Sequence, residues 1–283
     1  MKLAQIEQGG QTILCARTAE GLIPLNGVGY HTMMDAIERI DELPRALEMA
    51  EAKETPLAPE DARFLPVVSR PGKIVCVGVN YGRHVKECGQ SLPDAPVLFS
   101  KFATALSAHK DSVAIPRGVE RLDYEAELVM VIGRRAHCVS ADEAMDYVFG
   151  CTCGNDLSAR DWQSRSSQWL AGKTPDGFAP VGPWITTIDA MHEIQDLEIA
   201  CALNGQLRQY ASTGDMIFSC AEIVSYVSSV MTLEPGDLIF TGTPDGVILG
   251  LPEEQRRWLK PGDVLEVSIE NIGTLRTVIG PRE

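Results

Sequence analysis

The segment from Arg121 to Gly133, RLDYEAELVMVIG, places two acidic residues directly before an apolar run. The run Leu128–Ile132 is typical of a buried strand. Side chains at positions i and i+2 of a strand point to the same face, so Glu125 and Glu127 would present two carboxylates side by side. Burial and mutual repulsion make such a pair unfavourable unless a cation neutralises it. This strand must therefore begin either in solvent or at a cation site.

Both interpretations of the acidic pair are open from these residues alone. Acidic residues are common on the solvated face of a half-exposed strand, and a short motif has many chance matches. Alternatively, the pair binds a hard divalent cation such as Mg²⁺ or Mn²⁺, which prefers oxygen ligands. Asp156, in CGNDLSARDWQ, would then supply a third carboxylate, because it follows an apolar segment in a Gly-Asn-Asp turn.

Strand patterns dominate the chain from Lys73 onward, and they lack the regular strand–helix alternation of a doubly wound sheet. Two segments have a helical pattern, SADEAMDYVFG and SCAEIVSYVSSVM. The first part of the chain combines short strands with a helical segment and ends in a stretch rich in proline and acids. We therefore predict a small N-terminal α/β domain at residues 1–70 and a larger domain at residues 71–283.

The net charge and the cysteine pattern indicate which binding partners and which cellular compartment to expect. The net charge of −14 at pH 7 disfavours binding to nucleic acid or to anionic membranes. The eight cysteines include no CxxC pair, so neither a disulfide framework nor a zinc site is indicated. There is no signal-peptide pattern and no apolar run of membrane-spanning length. We expect a cytoplasmic protein with reduced thiols.

A histidine and a glutamate lie three residues apart in NYGRHVKE. If this segment forms a helical turn, His84 and Glu87 share a face, and the carboxylate can hold the imidazole in one tautomer and raise its basicity. Such a pair suits a general base. The alternative is an ordinary surface pair on a helix, because a histidine without a site around it is seldom catalytic.

Five segments occurring in a fixed order resemble the fumarylacetoacetate hydrolase family: GVNYGRHVKE, LDYEAELVMVIG, GNDLSARDWQ, GKTPDGFAPVGPW and GDLIFTGTPDGV. The resemblance extends from Lys73 to the C-terminus. It implies an α+β fold that is mainly β, with the mixed β-roll or barrel of fumarylacetoacetase and a small N-terminal domain. It also implies a homodimer.

The resemblance assigns candidate roles to eight residues. Glu125, Glu127 and Asp156 match the family positions that hold Mg²⁺ or Mn²⁺. His84 and Glu87 match a dyad that activates water. Three further residues match positions around the substrate: Lys173, which would stabilise a developing enolate, Gln163 and Thr243.

Arg160 is a further candidate for substrate binding, although it could instead pair with an acid inside the fold. The implied activity is hydrolysis of a C–C bond in a 2,4-dioxo acid of the acylpyruvate type, through a metal-bound pyruvate enolate, with a small anionic 2-oxo acid as ligand. Two other activities use the same enolate chemistry: oxaloacetate decarboxylation and isomerisation or tautomerisation of 2-hydroxydienoates. A non-catalytic 2-oxo acid-binding protein is the third possibility, and the complete set of candidate residues argues against it.

Overall fold

The structure is a computed structural model that describes residues 1–89, 91–191 and 193–283. Its strands are β1 (Lys2–Gln8), β2 (Gln11–Arg17), β3 (Leu22–Pro24), β4 (Arg63–Phe64), β5 (Ile74–Gly78), β6 (Val97–Lys101), β7 (Leu106–Ser107), β8 (Ser112–Ile115), β9 (Leu122–Asp123), β10 (Ala126–Ile132), β11 (Val148–Asn155), β12 (Ser158–Ala159), β13 (Ala179–Thr187), β14 (Glu198–Leu203), β15 (Gln206–Ser212), β16 (Leu238–Phe240), β17 (Val264–Ile269) and β18 (Gly273–Arg282). The α-helices are α1 (Met33–Glu38), α2 (Leu43–Glu51), α3 (Gly82–Glu87), α4 (Arg160–Gln163), α5 (Leu170–Lys173) and α6 (Cys220–Val230).

The strands form two main sheets. In the larger one the order is β3-β2-β1-β13-β11-β10-β16-β5-β6, with β4 paired to β1 and β7 paired to β13. The second has the order β15-β14-β17-β18-β8, and β9 pairs with β12 separately. The predicted mainly-β α+β class is confirmed. The sheets are open and not closed into a barrel, because the large sheet ends at β3 and β6, so the barrel alternative in the prediction is corrected.

The N-terminal segment continues the large sheet. Strand β1 pairs antiparallel with β13, so that Leu3 lies opposite Ile185. Side chains from this segment, such as Leu14 and Met33, pack in the same hydrophobic cluster as Phe149 and Phe240. The sheet and the core therefore run across the predicted boundary. The division into domains at residues 1–70 and 71–283 stays a prediction.

Strand β10 is buried along its whole length, between β11 and β16. Leu128, Met130 and Ile132 belong to one hydrophobic cluster, while Val129 and Val131 belong to the cluster on the other face. This two-sided burial explains why the sequence is a continuous apolar run and not an alternating one. By the same alternation, the glutamates at 125 and 127 share a face with the two valines.

The strand register brings the acidic residues of two strands to one end of the sheet. Strands β10 and β11 are antiparallel, and Ala126 lies opposite Asn155. Asp156 follows β11 directly and donates its backbone N–H to the carbonyl oxygen of Glu125 at 2.9 Å. Strand β5, parallel to β16, leads through a short connection into α3. The carboxylates and α3 therefore meet at the same edge.

Helices within the described ranges are all too short or too polar to cross a membrane. The cytoplasmic location and the homodimer remain predictions.

Truncation of Leu128 to alanine should reduce the free energy of unfolding by about 2–5 kcal/mol, since it removes fully buried methyl groups from the central strand. Chemical denaturation measures the change. The control is Leu207→Ala, at a residue that is 63% exposed, and it should change stability by no more than about 0.5 kcal/mol. Equal losses in the two variants would contradict the central position of β10.

Candidate metal centre and active site

Three carboxylates meet at the edge of the large sheet. Glu125, Glu127 and Asp156 each offer an oxygen, and these atoms lie within 4.8 Å of one another. The three residues are 5%, 2% and 0% exposed, respectively. The structure therefore brings the three predicted metal ligands together, and their near-complete burial argues against the solvated-face interpretation.

Three cationic side chains surround two of these carboxylates. The ammonium of Lys173 lies 2.6 Å from an oxygen of Glu125 and 2.6 Å from an oxygen of Asp156. The guanidinium of Arg160 contacts the other oxygen of Glu125 at 2.7 Å. Lys101 contacts the other oxygen of Asp156 at 2.5 Å. Burial opposes the charge of Glu125, but Lys173 and Arg160 hold its pKa well below the usual range.

Glu127 is the member of the cluster without such compensation. Within the described part of the chain, no lysine, arginine or histidine nitrogen forms an ion pair with it. It accepts one hydrogen bond, from the backbone N–H of Gly242 at 2.8 Å. Burial raises its pKa well above the ordinary value, and the charges of Asp156 and Glu125 raise it further. A cation at this point would remove the reason for the shift.

The carboxylate cluster fits a hard divalent cation. All three donors are carboxylate oxygens, which Mg²⁺ and Mn²⁺ prefer, and the cluster contains no sulfur or imidazole donor. Glu127 needs a positive partner, and the other two residues point oxygens to the same place. A bound cation would compete with the ammonium of Lys173 for the oxygens that Lys173 now bridges.

Helix α3 carries the predicted dyad. Nδ1 of His84 lies 3.3 Å from an oxygen of Glu87, three residues later on the same helical turn, as predicted. The backbone N–H of Gly246 donates to both oxygens of Glu87, at 3.0 and 3.2 Å. Burial alone would lower the pKa of His84, but hydrogen bonds with Cys88 and Glu87, together with the charge of Glu125, raise it to about 9.

A small cavity, about 50 Å³ in volume, connects the dyad to the carboxylates. His84 lines it with the three carboxylates, and Glu87 lies behind the imidazole. The other predicted residues also line it, namely Arg160, Gln163, Lys173 and Thr243. Phe99 and Trp169 form an apolar wall, with their rings in an edge-on contact at 5.4 Å. The cavity therefore brings together an imidazole, three carboxylates and an apolar wall.

The predicted substrate-binding residues are held by contacts within the protein. Arg160 pairs with Asp123 at 2.9 Å as well as with Glu125, and it donates a hydrogen bond to the side-chain oxygen of Gln163 at 3.1 Å. The hydroxyl of Thr243 accepts a hydrogen bond from Gln209. Arg160 therefore forms ion pairs inside the fold, which is one of the two roles that the sequence left open for it. The substrate contacts of Arg160, Gln163 and Thr243 stay predictions.

Sequence reasoning missed two buried charged residues of the site. Lys101 ends β6 and donates to the carbonyl oxygens of Phe178 and Leu157 besides contacting Asp156. Asp123 lies two residues before the glutamate pair and accepts hydrogen bonds from the backbone N–H groups of Ile248 and Leu249. A lysine inside the apolar segment PVLFSKF was the available signal for the first, and a third acid in LDYEAE for the second.

Comparison with known proteins gives consistent matches along the chain. Residues 73–280 match the fumarylacetoacetate (FAA) hydrolase C-terminal family. A mitochondrial oxaloacetate tautomerase from Bos taurus is 40% identical over 247 residues, which cover 86% of this chain and 78% of that protein. All the candidate site residues, from His84 to Thr243, lie within the matched residues 73–280.

Two solved structures are similar over the whole chain. The fumarylacetoacetate hydrolase from the psychrophile Exiguobacterium antarcticum has a TM-score of 0.87 at 34% identity, with full coverage of both chains. The maleylpyruvate hydrolase from Sphingobium sp. SYK-6 has a TM-score of 0.85 at 28% identity, again with full coverage of both chains. That enzyme was solved in complex with a manganese(II) ion and pyruvate.

Binding of Mg²⁺ or Mn²⁺ should release protons and should strengthen as the pH rises. The raised pKa favours the protonated form of Glu127 in the cation-free protein, whereas ligation requires the carboxylate. Calorimetric titration in two buffers with different enthalpies of ionisation measures the number of protons released.

Glu127→Gln should abolish the proton release and weaken cation binding, because the titrating ligand is gone. Glu254→Gln, at an exposed glutamate, is the matched control and should behave as the unmodified protein does. A cation affinity independent of pH, or the same proton release from Glu127→Gln, would contradict the assignment of Glu127.

Proposed function

This chain belongs to the fumarylacetoacetate hydrolase family, and from that premise we propose that it is a divalent-metal-dependent enzyme that converts the enol form of a small 2-oxo dicarboxylic acid, of the oxaloacetate type, into the keto form. The observation that carries this proposal is the buried cluster of Glu125, Glu127 and Asp156 beside a histidine with a raised pKa. The similarity to an oxaloacetate tautomerase supports the choice of substrate class.

Glu125, Glu127 and Asp156 would hold the cation. When bound, a divalent cation supplies Lewis-acid polarisation of the 2-oxo group and a positive charge for the carboxylate beside it. Lys173, next to the same carboxylates, stabilises negative charge that develops on the oxygen at C2. The apolar wall of Phe99 and Trp169 limits access of water to this charge.

The charge balance of the site suits an anionic substrate. With Glu127 ionised, as cation binding requires, Asp123 and the three clustered carboxylates carry four negative charges, and Lys101, Arg160 and Lys173 carry three positive ones. A divalent cation would make the group positive by one charge. The protein as a whole carries −14 at pH 7, so this pocket would be a local positive region within a negative field, which favours a dicarboxylate there.

His84 has the properties of a proton carrier for tautomerisation. With its pKa raised to about 9, the imidazole is protonated near neutral pH. After the enol hydroxyl has lost its proton to solvent, the imidazolium can donate a proton to C3 as the enolate double bond shifts to the 2-oxo group. A proton from solvent then restores the imidazolium, so His84 ends the cycle as it began it. Glu87, held by Gly246, stabilises the imidazolium and fixes its orientation.

Hydrolysis of a C–C bond in a 2,4-dioxo acid is the second candidate. The similarity to a maleylpyruvate hydrolase that was solved with manganese(II) and pyruvate favours it. This reaction requires a neutral His84 to deprotonate a water molecule, which then attacks the distal carbonyl. The raised pKa of His84 works against that protonation state at neutral pH. Hydrolysis should therefore increase with pH towards about 9, whereas ketonisation by the imidazolium should decrease.

Replacing His84 with glutamine should reduce the rate of oxaloacetate ketonisation about 10²–10⁴-fold, the usual contribution of a general acid or base. Loss of the ultraviolet absorbance of the enol, measured with Mg²⁺ present, follows the reaction. His137→Gln, at an exposed histidine, is the matched control and should retain full activity.

A panel of acylpyruvates and oxaloacetate, assayed for pyruvate release over the same pH range, separates the two candidates. Pyruvate release from acylpyruvates that exceeds ketonisation and increases with pH would replace the tautomerase proposal with the hydrolase. Full ketonisation activity in His84→Gln would remove the histidine from either mechanism.

A further inference from the structure

Helix α3 and the residue after it carry a second group of side chains with potential metal-donor atoms, distinct from the three carboxylates. His84, Glu87 and Cys88 each offer a donor atom, and these atoms lie within 4.8 Å of one another. Nδ1 of His84 is 3.3 Å from an oxygen of Glu87 and 3.8 Å from the sulfur of Cys88. The helical turn causes this grouping, because residues i, i+3 and i+4 lie on one face.

These distances suit a tetrahedral zinc ion. Zinc binds imidazole nitrogen and carboxylate oxygen at about 2.0–2.2 Å and cysteine sulfur at about 2.3 Å, so tetrahedral angles separate neighbouring donor atoms by about 3.3–3.6 Å. The separation of 3.3 Å between nitrogen and oxygen lies in that range, and the 3.8 Å between nitrogen and sulfur is slightly longer. Three protein ligands leave the fourth position for water.

The surrounding backbone fixes the carboxylate of this group. The N–H of Gly246 donates to both oxygens of Glu87, which is the kind of outer contact that orients metal ligands. The absence of a side chain at Gly250 leaves room for the Glu87 carboxylate, because a Cβ atom at Gly250 would lie 2.0 Å from the Cδ of Glu87. Cys88 donates its backbone N–H to the carbonyl oxygen of His84 at 3.0 Å, which holds the thiol beside the ring.

We propose that His84, Glu87 and Cys88 form an inhibitory site for Zn²⁺. The mixed donor set of nitrogen, oxygen and sulfur selects zinc over Mg²⁺, whereas the all-oxygen cluster prefers the harder ion. On binding, the Cys88 thiol and Nδ1 of His84 each lose a proton to solvent, and the freed Nδ1 lone pair binds zinc, which replaces the direct contact with Glu87. The ring can then no longer alternate between imidazole and imidazolium. The predicted inhibition depends on the proposed function of His84 as a proton carrier, whereas the predicted zinc binding does not depend on that function.

Cobalt(II) provides a direct probe of the site, since a cobalt–thiolate bond has a charge-transfer absorption that Mg²⁺ and carboxylate ligands do not produce. We expect one Co²⁺ per chain with this absorption, in the presence of excess Mg²⁺, and its displacement by Zn²⁺. In Cys88→Ser and Cys88→Ala the absorption should disappear, and zinc affinity should fall at least about tenfold, a loss typical even of outer-shell changes.

The matched control is Cys138→Ser, because Cys138 is an exposed cysteine whose sulfur also lies 3.7 Å from a histidine nitrogen, on His137, but outside the cluster of three donors. It should leave both the absorption and the zinc affinity unchanged. In the ketonisation assay with excess Mg²⁺, Zn²⁺ should inhibit the unmodified protein and Cys138→Ser equally, and the two Cys88 variants at least about tenfold less strongly.

An unchanged absorption and zinc affinity in both Cys88 variants would overturn the proposal. Zinc inhibition that does not depend on Cys88 would also overturn it, and would place the inhibitory ion at the carboxylate cluster. If the protein does not ketonise oxaloacetate but the cobalt absorption depends on Cys88, the zinc site stands and the proposed function fails.

Discussion

The burial of three carboxylates within 4.8 Å of one another is the constraint on which the site depends. Such a group is stable only with compensating positive charge. Lys101, Arg160 and Lys173 provide part of it, and they pair with two of the three carboxylates. Because Glu127 has no such partner among the described residues, we propose the cluster as the site for a divalent cation. Lys173 stabilises the cluster, and in the proposed reaction the same residue would also face the substrate.

The fold holds the three carboxylates in place because the strand that follows the two glutamates is buried on both faces. Strand β10 is covered on each face by a hydrophobic cluster, so the glutamates at its beginning have little freedom to turn towards solvent. Helix α3 is a short element held before its first turn by hydrogen bonds of Asn80 and at its end by Glu87 through Gly246. The carboxylate cluster is thus built on the core, while His84 lies on a smaller element beside it. This division suits an enzyme whose ligand must enter between the two.

Local patterns in the sequence predicted the parts of the site that local geometry controls. The shared face of positions 125 and 127 and the helical turn at His84 follow from strand and helix periods.

Of the two segments with a helical pattern, SCAEIVSYVSSVM forms α6, with Ser219 and Glu222 as a capping box. SADEAMDYVFG, in contrast, contains only a short 3₁₀ turn before β11, because its apolar end joins the large sheet. The ion pair of Lys101 and the pairing of β1 with β13 join residues far apart in sequence, and no local pattern reports such contacts.

Electron paramagnetic resonance of Mn²⁺ tests the central claim most directly, because the signal of free Mn²⁺ counts the bound ions without reference to any substrate. We predict that one Mn²⁺ binds per chain and that the double variant Glu125→Gln, Asp156→Asn loses this binding while circular dichroism shows that its fold is retained. Mn²⁺ bound with unchanged stoichiometry and affinity in the folded double variant would contradict the carboxylate cluster as the metal centre.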